Sequence, residues 1–107
     1  MGKIDKDRRS DSRVPTNLHA KWDGISGGHQ ARIEDISLGG CFVNTTGRVE
    51  AGEIIVLQVR LPSGEWLTLR GEATSIQVGV GFAVNFTFIT GEEEYAVREM
   101  IQNSLLN

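Results

Sequence analysis

Arg9 and Arg13 lie four residues apart, with Arg8 beside them, in a polar N-terminal stretch. A guanidinium binds phosphate with two parallel N–H donors and stacks on flat rings, neither of which lysine does as well. Asp35 follows twenty-two residues after Arg13 and opens the run Asp35-Ile36-Ser37-Leu38-Gly39-Gly40. That run gathers a carboxylate, a hydroxyl and two backbone amides that no side chain shields. Fixed cations on one segment and an accepting, donating floor on the other suit a small ligand with both phosphates and a base edge. Each motif also has a plain structural reading. Asp-x-Ser followed by two glycines is ordinary turn chemistry, and charged tails are usually solvated. Taken together, the two segments could still grip such a ligand.

Other reactive side chains point elsewhere. His19 falls on the polar face of an alternating run and His29 follows a Gly-Gly pair, so both read as solvated. Cys41, the only cysteine, reads as a small half-buried residue, since nothing basic lies at a spacing that would activate it. Trp22 and Trp66 read as core or barrel-rim packing in preference to base stacking. No phosphate-binding loop, zinc spacing or catalytic pair of carboxylates stands out, so an enzyme is not expected.

The 107 residues fit one domain. Formal charge is −3 and unevenly spread. Residues 1–13 hold five cations against three carboxylates, a local balance of +2, which leaves −5 on the rest. A general nucleic-acid binder is therefore disfavoured, while a small anion near the basic segment is not. A single cysteine rules out an internal disulfide and fits a reducing cytosol. No apolar run approaches a membrane span and no signal peptide is recognisable, so a cytoplasmic protein without membrane insertion is expected.

The elements that must position these residues can be read from periodicity. Ile4 and Val14 are the large aliphatic residues among residues 1–14, too little apolar surface to offset ordering entropy. This segment is expected to be flexible without ligand. Six strands are expected over residues 15–89. Asn17–Trp22 alternates with a period of two, and a loop is marked by Asp23-Gly24 and Gly27-Gly28. About His29–Glu34 points Ala31 and Ile33 inward, and the break in phase at Asp35 ends that strand or bulges it. Cys41–Asn44 is short. Ile54–Leu61 is apolar on both faces as far as Gln58, as a central strand would be. Trp66–Gln77 is too long to run straight, and Gly71 is the expected bulge or corner. Gly81–Phe88 places Phe82, Val84, Phe86 and Phe88 on one inward face. Thr90-Gly91-Glu92-Glu93 is a capping box. Val97, Met100, Ile101, Ser104 and Leu105 then recur at helical spacing over residues 90–107. The fold class expected is all-β with a C-terminal helix: a six-stranded antiparallel β-barrel.

This pattern resembles the PilZ family, whose signature is Arg-x-x-x-Arg followed by Asp/Asn-x-Ser-x-x-Gly. Arg9 and Arg13 fill the first motif; Asp35, Ser37 and Gly40 fill the second. The resemblance implies a six-stranded barrel and a receptor for cyclic di-GMP, with no other cofactor. It implies that Arg9 and Arg13 contact guanine and phosphate, with Arg8 a weaker candidate outside the strict motif. Asp35, Ser37, Gly39 and Gly40 would form the floor. The arginine pairing suits guanine's two Hoogsteen acceptors, and a carboxylate suits the donors of its Watson–Crick edge. The implied receptor folds its N-terminal segment over the ligand and signals to an unidentified effector protein. The alternative is a PilZ-like adaptor that acts by protein contact without the nucleotide. An oligonucleotide-binding barrel is disfavoured, since it would want a basic, aromatic-lined face.

Overall fold

A computed structural model describes the backbone of residues 13–106 and the side chains of residues 13–104. Arg8, Arg9 and the side chain of Leu105 lie outside the described residues. Six strands form a closed barrel: β1 (Val14–Gly24), β2 (Gly27–Ile36), β3 (Gly40–Asn44), β4 (Ile54–Arg60), β5 (Trp66–Gln77) and β6 (Gly81–Phe86). Around the barrel they run β1-β2-β3-β6-β5-β4, and every neighbouring pair is antiparallel. The helix α1 (Gly91–Leu106) follows. Fold class and strand number are those read from the sequence.

Alternation builds the interior. Ala20, Trp22, Ile33, Ile36, Val43, Ile55, Leu57, Val59, Leu69, Phe82 and Val84 are all buried. Trp22 is fully enclosed, edge-on to Phe82 at 5.1 Å between centroids. Its indole N–H donates to Thr45 Oγ1 at 3.2 Å, so the buried polar atom is satisfied.

Several local expectations change. β4 is not buried on both faces: Ile55, Leu57 and Val59 point in, while Ile54 and Val56 are exposed on the outer surface. A barrel of this width has one interior, so each strand keeps an inner and an outer face. Gly71 is not the irregular point of β5. It pairs in regular register with Ile55 and Phe86. A Cβ there would run into the carbonyl oxygen of Asn85, so glycine is needed for close strand approach. The register shift falls instead between Thr74 and Gln77, where Ser75 takes a φ of +47°. β6 ends at Phe86, and Phe86 and Phe88 are only partly buried, packed on each other at the margin of the core.

The capping box forms with a different return bond. Glu93 N–H donates to Thr90 Oγ1 at 3.2 Å, but Glu93 Oε1 accepts from the amide of Ile89 at 2.9 Å. Its other oxygen accepts from Arg70 of β5 at 3.1 Å. One carboxylate therefore both caps the helix and ties it to the barrel. These amide and guanidinium donors, Ile89 first, hold the Glu93 carboxyl below its ordinary range. Val97 and Met100 are buried in the same core as the strands, and the helix packs against β1 and β5. The helical periodicity thus docks on the barrel itself.

Candidate functional site

β2 carries Asp35 through an irregularity that sets its direction. Register shifts occur on both sides: between Pro15 and Leu18 opposite β1, and between Ile33 and Asp35 opposite β3. Ile33 and Ile36, three residues apart, are both fully buried. Strict alternation would have buried Asp35; the bulge turns its carboxylate towards the surface instead. The strand continues past Asp35 to Ile36, so the break in phase marks a bulge and not an end.

Asp35 pairs across the ladder with Pro15. That places Arg13, two residues earlier, within reach: Arg13 Nη1 donates to Asp35 Oδ1 at 2.7 Å. The side chains remain 44% and 29% exposed, so the pair is open to solvent and to a ligand. Two residues twenty-two apart in sequence, one from each motif, thus meet at one end of the barrel.

The turn after β2 is closed by Ser37. Its amide donates to the carbonyl of Gly40 at 2.7 Å. Its hydroxyl accepts from the amides of Gly39 and Gly40, each at 3.3 Å, and donates to the Gly40 carbonyl at 3.3 Å. Ser37 is buried, and its bonds hold the turn. Gly39 is exposed, and its carbonyl accepts from the Phe86 amide at 2.9 Å. Gly40 is buried and pairs with Asn85; a Cβ there would collide with the carbonyl oxygen of Val84. Neither Gly39 nor Gly40 takes a left-handed φ, so at Gly40 the demand for glycine comes from strand packing.

A shallow cavity of about 290 Å³ opens here, lined by Arg13, Ser37, Gly39, Gly40 and Asn85. Asn85 is the lining residue that motif and spacing do not reveal. Its outward phase on β6 is legible in the alternation, but its position beside Gly40 follows only from the β3–β6 pairing. Beneath the site Cys41 is fully buried, not half-buried. Burial pushes its thiol up to about 12; Arg13 pulls the value down and Asp35 raises it, both by charge. Such a thiol is an inert core residue.

The remaining sequence candidates stand away from the cavity. His29 is not simply solvated: it stacks on Trp22 with centroids 4.4 Å apart and shares a 2.9 Å hydrogen bond with Ser26 Oγ. His19 is exposed. Trp22 belongs to the core, whereas Trp66 lies on the outer surface, 38% exposed.

The site therefore consists of a small antiparallel barrel, a bulged Asp-x-Ser-x-x-Gly turn and an arginine laid against its carboxylate. The PilZ domain family model matches residues 7–105, and the chain belongs to that family. PilZ domains are ligand-binding receptors or adaptors. Solved structures share the fold. The PilZ domain of CeSA from a cellulose-synthesizing bacterium is 20% identical, with a TM-score of 0.71 over 86% of this chain and 96% of that one. The PilZ domain of YcgR from Escherichia coli, solved with c-di-GMP, is 14% identical, with a TM-score of 0.76 over 90% of each chain. The Bacillus subtilis inhibitor of motility MotI/DgrA is 19% identical, with a TM-score of 0.69 over 94% of this chain and 52% of that one. This chain thus spans about half the length of MotI/DgrA. No curated protein matches it by sequence. Among the described residues, no helix is long and apolar enough to cross a membrane.

Proposed function

We propose that the chain is a non-catalytic receptor for cyclic di-GMP. Arg8, Arg9 and Arg13 grip the dinucleotide against the turn from Asp35 to Gly40, and an effector protein reads the change in residues 1–14. The observation that carries this reading is the Arg13–Asp35 pair beside the cavity. One N–H of Arg13 is committed to Asp35, which leaves the rest of a five-donor guanidinium for phosphate or for the N7 and O6 of guanine. Asp35 retains acceptor capacity for the donors of a guanine Watson–Crick edge. Membership of the PilZ family supports the proposal, as does the c-di-GMP with which the YcgR domain was solved.

The alternative, an adaptor that works by protein contact alone, draws on one observation. Ser37 and the amides of Gly39 and Gly40 already satisfy one another, so the turn stands without a ligand. Calorimetric titration with cyclic di-GMP, with GTP and cyclic GMP as controls, separates the two. The expected result is micromolar binding, about −8 kcal/mol, for cyclic di-GMP alone. Absence of heat and of chemical-shift change at several hundred micromolar dinucleotide overturns the receptor reading and leaves the adaptor to be tested by its protein contacts.

A further inference from the structure

The outer face of β1 and β4, with adjoining residues of β2 and β5, carries three exposed cations, Lys21, Arg32 and Arg60. Lys21 Nζ sits 4.5 Å from the ring centroid of Trp66, and Arg60 Cζ sits 5.2 Å from it. Arg60 faces Trp66 directly across the β4–β5 ladder, and Lys21 pairs with Gln58 on the neighbouring strand. Arg32 of β2 continues the row through its pairing with His19. All three cations are exposed. Among the described residues, the ion pairs engage Arg13, Arg70 and Arg98, and none engages Lys21, Arg32 or Arg60. Two cations therefore share one indole without a carboxylate between them. The ring quadrupole offsets only part of their mutual repulsion, and an incoming anion would meet both.

We propose that this face docks a short acidic segment of a partner protein, with carboxylates on Lys21 and Arg60 and an apolar side chain against the exposed rim of Trp66. Three features select that occupant. The barrel is closed, so it offers no strand edge for a partner to extend, and recognition must run through outward side chains. The patch is basic within a chain of net charge −3, so it attracts an acidic group locally without the broad positive field that a long polyanion needs. Exposed Asp23 and Glu34 bound the row on β1 and β2, so the basic stretch has room for a short acidic segment and not for a long polyanion. The surface shares no residue with the Arg13–Asp35 cavity, and docking there does not depend on dinucleotide binding.

The test is an NMR titration of the whole chain with a synthetic peptide in which glutamates alternate with phenylalanines. Amide shifts should map to Lys21, Gln58, Arg60 and Trp66. Affinity should fall at least fivefold when salt rises from about 50 to about 300 mM, as screening shortens the reach of charge. The doubly reversed variant Lys21→Glu, Arg60→Glu should lose at least tenfold, and Trp66→Ala should lose several-fold through the apolar contact. Circular dichroism should show the charge-reversed variant still folded, and its cyclic di-GMP titration should match the parent, because neither side chain lines the cavity. Failure here with intact dinucleotide binding overturns this proposal alone. It is also overturned by shifts that ignore the variants, or by tighter binding of an oligothymidylate or of phosphatidylglycerol vesicles than of the peptide. Self-association that the same variants abolish would assign the face to a second copy and likewise overturn it.

Discussion

Arg13 and Asp35 hold each other at 2.7 Å in a position half open to water. An ion pair this exposed adds little to stability, about 0–1 kcal/mol. Arg13→Ala is therefore expected to leave the unliganded melt nearly unchanged while weakening cyclic di-GMP at least tenfold by calorimetry. Asp35→Ala should also lose affinity at a stability cost of about 1 kcal/mol or less. If its melting temperature collapses while affinity stays, Asp35 is purely structural. Gly40 behaves differently, because the obstacle to a side chain there is the backbone of β6. Gly40→Ala should destabilise the barrel by about 1–3 kcal/mol, seen as a lower denaturation midpoint. Beneath them, Cys41 keeps its proton in the folded state up to about pH 12, against an ordinary value of 9.0. The unfolded chain loses that proton first, so stability should fall as pH rises from about 9 towards 12. Cys41→Ala should remove that component of the slope in melts across the same range. The native thiol should also resist iodoacetamide until denaturant is added.

At the level of elements, the joint between α1 and the barrel rests on Thr90 and Glu93. Thr90 caps the first turn, and its replacement by alanine should cost about 1 kcal/mol. Glu93 adds a link that a helix cap alone lacks, because its second oxygen binds Arg70 on β5. Its folded pKa is depressed, chiefly by the Ile89 amide, so its contribution is present above the ordinary value of 4.5. That contribution is lost as pH falls through the depressed value. Glu93→Gln should flatten the acid limb of helix docking, followed by circular dichroism and by hydrogen exchange at Val97 and Met100. The β2 bulge is the other decisive element. It allows Ile33 and Ile36 both to face inward and sends Asp35 outward between them.

At the scale of the whole molecule, a closed barrel is a rigid platform for a segment that joins it at β1. The amides of Phe82 and Val84, in a strand paired on both sides, should be strongly protected from exchange with or without ligand. The proposed receptor mechanism requires residues 8–13 to gain protection when cyclic di-GMP saturates the protein. Equal protection in both states would show a preformed site and remove the switch. Binding should weaken with salt, though less steeply than for a polymeric nucleic acid, since the ligand carries only two phosphates.

The sequence alone determined the class of fold, because period-two alternation in six short runs and a capped helical run admit few architectures. It also determined both motifs, since residue type and spacing are local properties. Legible in the same way were the inward faces of Trp22, Ile33, Phe82 and Val84 and the helix side bearing Val97 and Met100. Tertiary structure decided what meets what. The Arg13–Asp35 contact depends on β1–β2 register, and Asn85 reaches the cavity through β3–β6 pairing. The burial of Ser37 and Cys41 depends on how the turn after β2 folds over the core. The stacking of His29 on Trp22 and the cations around Trp66 arise across strands distant in sequence. Gly71 shows the limit most plainly. Glycine at that position announced an anomaly, but only the Asn85 carbonyl pressed against it shows that the need is close packing, while the true irregularity sits at Ser75. Periodicity fixes which face a residue occupies; the register between strands, set by every core contact together, fixes its neighbour.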